Sequence, residues 1–211
     1  MSADPIEPGV LTPVQQQALA AAVSAVHADP ASVHVRFPAA AREIARSSAA
    51  PSEIGVFRIE DEVRVRLLEA FAAVTVQPQT LTDVVATLYR HGDADERRAV
   101  LLGLHRLPFG ERGLELVQDG LRSNDPRLVA AALGEYGSRH LDPAQWRQGV
   151  LKCLFVGVPL KLVVGLPDRC DGTLREMVAA YARERTAAGR DVPEDARRLL
   201  DSPTACTKQE T

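Results

Sequence analysis

The sequence has little of what usually announces a function. Of its 25 cationic residues only three are lysine, and it carries one tryptophan, one asparagine (Asn124) and three cysteines. Acidic residues outnumber basic ones by 28 to 25, a net charge of −3. Duplex-binding proteins carry a basic excess, so nucleic acid is not the expected partner. The cysteines, Cys153, Cys170 and Cys206, are odd in number and widely spaced, with no C-x-x-C pair. That excludes a zinc ribbon and a thioredoxin-type motif, and it predicts buried or tail thiols in a reducing cytoplasm rather than a disulfide framework. There is no G-x-x-x-x-G-K-[ST] phosphate loop, no H-E-x-x-H and no G-x-S-x-G elbow. The histidines His27, His34, His91, His105 and His140 are scattered, with no two spaced to share a helix face as metal ligands. No metal or cofactor is expected, and the reading leans away from an enzyme.

Long apolar runs are missing as well. The most apolar stretch, Val150 to Leu166, is interrupted by Lys152, Pro159 and Lys161 and falls short of the ~20 clean residues of a membrane helix. Met1 to Gly9 has neither the basic nor the apolar region of a secretory signal. A soluble, cytoplasmic protein with no membrane insertion is expected. The preference for Arg, Ala and Val over Lys and Asn reads as the codon bias of a GC-rich bacterial genome.

What is present is helical periodicity. Leu19, Ala22, Val23 and Val26 recur at i, i+3, i+4 and i+7, as do Leu81, Val84, Val85 and Leu88, and Leu174, Met177, Val178 and Tyr181. Each set makes one apolar stripe on a 3.6-residue period. Ile59, Val63, Leu67, Phe71 and Val74 extend the rule, and Trp146, Val150, Cys153 and Leu154 repeat it. Thr12-Pro13, Asn124-Asp125-Pro126 and Asp142-Pro143 each place a capping side chain before a proline at the first helical position. Gly189 reads as a helix stop. Alternation of period two is brief, at Ser32 to Phe37 and Val56 to Arg66, and Glu and Arg in the second segment argue for a helix. Glu60, Asp61 and Glu62 point in different directions on that helix and read as a solvated face.

Asp95 to Leu107, Glu111 to Leu121 and Asp125 to Tyr136 predict three successive short helices joined by tight links. The last resembles the first half of a HEAT-type pair, whose units stack because none buries its apolar face alone. The expected fold is all-α, a compact HEAT-like helical array. An orthogonal helical bundle is the alternative. One helical domain is expected over 11–201, with disordered tails at 1–10 and 202–211 and a loop-rich link at Ala39 to Ser52.

The most distinctive block runs from Trp146 to Arg190. Trp146, Gln148, Leu151-Lys152, Phe155, Gly157, Gly165-Leu166, Asp168-Arg169, Leu174, Tyr181, Glu184-Arg185 and Ala187 to Arg190 resemble the EboA family of bacterial metabolite-traffic proteins. The likeness is strong over the last third of the chain and collinear from Asp95, so that 95–200 carries the family-like block. The chain departs from the family where it has Trp146-Arg147-Gln148 in place of W-N-Q, Arg183-Glu184-Arg185 in place of H-E-R, and Glu135-Tyr136-Gly137 in place of N-P-[YF]. The resemblance implies a non-catalytic accessory role in making or moving a specialised metabolite. Its partners would be that small molecule or the proteins of its pathway. It transfers no catalytic residue, because none is established for the family.

The candidate ligand-binding residues are Lys152, Arg169, Arg185, Trp146, Asp168, Gln148 and Glu184. Lys152 stands out as a lysine kept in an arginine-rich chain, on an apolar helix. Arg169 and Arg185 offer planar forks suited to a carboxylate or phosphate. Trp146 could equally be core, and Asp168 or Asp171 could equally cap the next helix. Two other classes stay open: a scaffold with no pocket, and an enzyme of unrecognised type acting on a metabolite precursor.

Overall fold

The computed structural model describes residues 11–46, 54–55 and 57–201. Among them are twelve α-helices and no strand: α1 (Pro13–Ala28), α2 (Val33–Glu43), α3 (Ile59–Val74), α4 (Pro78–His91), α5 (Ala94–Gly103), α6 (Leu114–Arg122), α7 (Pro126–Ala132), α8 (Glu135–His140), α9 (Pro143–Val156), α10 (Leu166–Arg169), α11 (Gly172–Ala187) and α12 (Glu194–Asp201). The chain is all-α. Short 3-10 turns sit at Pro30–Ser32, Leu104–Arg106, Gly110–Gly113 and Leu160–Leu162.

The helix starts follow the local chemistry. Thr12 closes a capping box with Gln15, accepting its backbone N–H at 3.3 Å while Gln15 accepts that of Thr12 at 2.9 Å. Asp125 and Asp142 cap α7 and α9 ahead of their prolines. Of the two candidates for α11, Asp171 is the cap, accepting from Leu174 N–H at 2.9 Å. α9 ends on Gly157 at φ +79°, which lets the Val158 N–H reach back to the Cys153 carbonyl at 2.9 Å.

Packing runs along the chain. α1 and α2 both lie on α3, α3 and α4 pack on α5, α5 and α6 on α7, and then α7 on α9, α9 on α11 and α11 on α12. One continuous core results, with Phe37, Leu67, Leu68, Tyr89, Leu104, Phe109, Leu128, Leu133, Trp146 and Leu174 among its fully buried side chains. The apolar stripe of α9 is wholly internal, since Trp146, Val150, Cys153 and Leu154 are all buried. Burial pushes the Cys153 thiol up to about 12, which leaves it an unreactive core residue. Cys170 is disulfide-bonded, which corrects the expectation of thiols for that residue. Cys206 and both expected tails lie outside the described residues.

Three local expectations change. Ser32 to Phe37 falls largely in α2, and α2 runs to Glu43, so the first part of the expected link at Ala39 to Ser52 is helix. The expected helix from Asp125 to Tyr136 is two helices. The chain breaks at Leu133-Gly134, where α8 turns off to pack on α5 and α6, and Gly137 comes so close that a Cβ there would lie 2.0 Å from the Ala132 carbonyl oxygen. Only glycine fits that approach.

The largest correction concerns charge. The run Glu60-Asp61-Glu62 is not a solvated face. Asp61 is fully buried, and Glu60, Arg58, Arg64 and Arg98 are each at most 5% exposed. Asp61 and Arg64 share the stripe of Leu68 and Phe71 at i, i+3, i+7 and i+10, and from it Asp61 meets Arg98 of α5 while Arg64 meets Phe37 of α2. Glu62 lies outside this cluster. Arg106 joins it to Glu69 across the α3–α5 contact, with nitrogen–oxygen distances of 2.7 and 2.8 Å to Glu69 and 2.8 Å to Glu62. Burial raises the Glu62 pKa, but hydrogen bonds from Arg106 and Arg66 outweigh it and hold the carboxyl below its ordinary value. A depressed carboxyl stabilises the fold above its ordinary pKa and loses that contribution as pH falls through the folded value. Arg106→Gln is therefore expected to cost about 1 kcal/mol at neutral pH and nothing in acid. Thermal unfolding at the two pH values checks this, and an equal deficit in acid would contradict it.

Candidate functional site

Two concavities stand out among the described residues. The first is a half-open cavity of about 250 Å³ between α5 and α7. Leu101 and Leu102 of α5, Ala130 and Ala131 of α7, Phe57, Leu162 and Val164 supply apolar wall, and Arg98, Arg127, His105 and Glu135 are the ionisable residues around it. Two turn segments border it. The Val164 N–H donates to the Leu133 carbonyl at 3.0 Å, pinning one segment over the α7–α8 break. Gly55, at φ +83°, lets the other meet Leu162, where a Cβ would come within 2.5 Å of that side chain.

The cavity sits on the buried charge cluster. Both Asp61 carboxylate oxygens accept from Nη2 of Arg98, at 2.7 and 2.9 Å, and Asp61 also accepts the Arg58 backbone N–H at 2.9 Å. Arg127 is tied by its Nε and Nη2 to Asp125 and by its Nη1 to Asp95, the last at 2.9 Å. Asp95 also accepts from Arg58 at 3.3 Å. Burial holds the Asp61 carboxyl above its ordinary value despite Arg98, whereas hydrogen bonds from Arg127 hold Asp125 below. His105 and Glu135 are exposed at the mouth, and Glu135 pairs with Arg139 at 3.2 Å.

The second concavity is an open groove of about 660 Å³ between α6 and α9. Gln148 and Lys152 line it together with Phe155, Gln118, Asn124 and Gln145. It is rich in carboxamides. Phe155 is 61% exposed, although its ring edge meets Tyr181 at 4.7 Å. No hydrogen bond or ion pair holds Lys152 among the described residues.

The other sequence-derived residues do not line this groove. Trp146 is buried beneath the Arg169 guanidinium, 4.8 Å from its ring. Arg169 donates to the Ser138 and Leu141 carbonyls, fastening α10 to the end of α8, and desolvation pulls its pKa below the ordinary arginine value. Asp168 is exposed on α10, and Glu184 is exposed on α11. Arg185 donates to the Asp191 carbonyl and lies 5.8 Å from the Tyr181 ring. Arg147, one of the departures from the family pattern, pairs with Asp171, joining α9 to the cap of α11.

Sequence reasoning missed the cavity and its arginines. Asp95-Glu96-Arg97-Arg98 looks like an ordinary charged first turn. The available signal was register: Arg98 sits three residues ahead of Leu101, on the face that α5 turns inward. Among the described residues no group of three or more His, Cys, Asp or Glu side chains is placed to hold a metal ion. No described helix is long and apolar enough to cross a membrane.

A family model described as metabolite traffic protein EboA matches residues 10–201, which is most of the chain. Neither the curated proteins nor the solved structures compared with the chain yield a match.

Proposed function

The chain belongs to the EboA family of metabolite traffic proteins, and on that premise we propose that it is a non-catalytic accessory protein that binds a specialised metabolite and hands it on. The observation that carries the reading is the half-open apolar cavity between α5 and α7. Its wall is mostly apolar, and its two arginines are held by carboxylates of the protein itself. Such a pocket suits sequestration. A catalytic site would instead bring a nucleophile and a free acid or base together at one point. The succession of α3 on α5, α5 on α7 and α7 on α9, with α4 on α5 and α6 on α7, is read as a HEAT-like array. In it the cavity is the gap between two stacked units.

A second reading, docking of pathway proteins, is favoured by the groove on α9. Exposed Phe155 presents there an aromatic ring, a residue class enriched at interfaces, with Lys152 in the same groove. The two readings divide the work: cargo in the cavity, partner on the groove.

Native mass spectrometry of the purified protein, after incubation with an extract of the producing cells, tests this. A reproducible small-molecule adduct is expected for the native protein and for Lys152→Ala, but not for Ala131→Phe, which fills the cavity. Lys152→Ala is expected to leave stability within about 0.5 kcal/mol, as for other surface changes, while abolishing co-purification of pathway proteins. Co-purification without any adduct would replace the carrier with a scaffold. Conversion of the bound compound would replace it with an enzyme.

A further inference from the structure

The cavity between α5 and α7 has ionisable side chains in its wall, and each is partnered within the protein. Arg98, 4% exposed, gives its Nη2 to both oxygens of Asp61. Arg127 gives Nε and Nη2 to Asp125 and Nη1 to Asp95. At the mouth Glu135 pairs with Arg139, and Nδ1 of His105 lies 2.9 Å from the Leu102 carbonyl oxygen. The cations of the wall are therefore spent on the protein's own carboxylates. Phe57, Leu101, Ala131, Leu162 and Val164 make up much of the remaining wall.

The class of occupant follows from this pairing. An ion that leaves water for an apolar cavity without a partner meets the costliest kind of burial. An anion could engage Arg127 only by displacing Asp125, which also caps α7 through the Arg127 backbone N–H at 2.9 Å. A cation finds only Glu135, which is exposed to water and salt and already paired. A neutral apolar body incurs neither cost, and it takes the apolar wall out of water. Size follows from volume. A cavity of about 150 Å³ holds benzene, so one of about 250 Å³ has room for about ten heavy atoms, the size of two fused rings.

We propose that the cavity takes a neutral, apolar molecule of two-ring size and rejects ions of the same shape. This rests on the reading of the cavity as the cargo site and adds the class of cargo to it.

The test titrates the full chain with β-naphthol, β-naphthoate and β-naphthylmethylammonium by calorimetry at neutral pH. Naphthol is expected to bind one per chain and at least about tenfold tighter than either ion. Ala131→Phe is expected to abolish naphthol binding with the fold intact by circular dichroism. Leu102→Trp, at a half-buried wall position, is a second filling variant with the same expected result. Asp125→Asn retains a helix cap but strips Arg127 of one counter-charge. It is expected to narrow the gap between naphthol and naphthoate at least about threefold, since a freed guanidinium makes charge-assisted hydrogen bonds to a carboxylate. Binding of either ion by the native protein as tight as that of naphthol overturns the proposal. So does naphthol binding that survives both filling variants, a gap unchanged in Asp125→Asn, or no binding of any of the three. If naphthol fails to bind but the extract-derived adduct is lost in Ala131→Phe, the cargo site stands and only the neutral class is wrong. If naphthol binds as expected and the extract yields no adduct, the chemistry of the cavity stands and the carrier reading falls.

Discussion

Asp61→Leu is expected to destabilise the fold by about 3–5 kcal/mol at neutral pH, the cost of leaving a buried guanidinium without its partner. For a chain of this length each kcal/mol moves the unfolding midpoint by about 2–4 °C, so a fall of roughly 10 °C or more should be seen by calorimetry. The substitution leaves no oxygen for the Arg58 N–H or for Arg98. What it removes is the charge facing a guanidinium that is 4% exposed. The double variant Asp61→Leu with Arg98→Met should recover most of the loss, because replacing a buried pair by apolar groups is often neutral or stabilising. The pH dependence has a definite sign. Burial raises the Asp61 pKa in the folded state. Its contribution is therefore complete below the ordinary carboxylate value and declines as pH rises through the folded one, opposite to Glu62. The leucine variant should lose that slope. A single variant within about 1 kcal/mol of the native protein would mean the cluster is not held by its charges.

Trp146→Ala is the second large effect, expected at about 3–5 kcal/mol by urea denaturation. The indole is 1% exposed beneath Arg169, and its removal leaves both a void and a guanidinium without its aromatic face. Trp146→Phe should cost much less, because the indole Nε1 is buried with no hydrogen-bond partner to lose. The contrast separates a core role from a ligand-facing one. A mild Trp146→Ala variant that still lost the bound metabolite would place the ring in a binding site.

Helix ends were legible because they are local. Thr12-Pro13, Asp125-Pro126, Asp142-Pro143 and Gly189 act on backbone groups within four residues, and each ends or begins a helix where the spacing places it. The α9 stripe was equally legible, since its four apolar residues need only a common face. The α7–α8 break was not. It depends on how closely Gly137 returns to Ala132, a distance that no sequence spacing states.

The candidate site divides along the same line. Gln148 and Lys152 share one groove because they are four residues apart on a single helix, and i, i+4 neighbours face the same way. Arg169 and Arg185 were grouped with them through a family likeness, which carries no distance. In the structure each is bound to backbone carbonyls of its own neighbourhood.

By itself the sequence determined the helical class, most helix boundaries and the family, because periodicity, capping and motif likeness are properties of neighbours in the chain. Only the tertiary structure decided that Asp61 and Arg98, 37 residues apart, are a buried pair, and that segments near Gly55 and Val164 border a cavity over α5 and α7. The physical reason is that burial belongs to the partner surface. A carboxylate on a helix looks the same in the sequence whether the face beside it meets water or another helix.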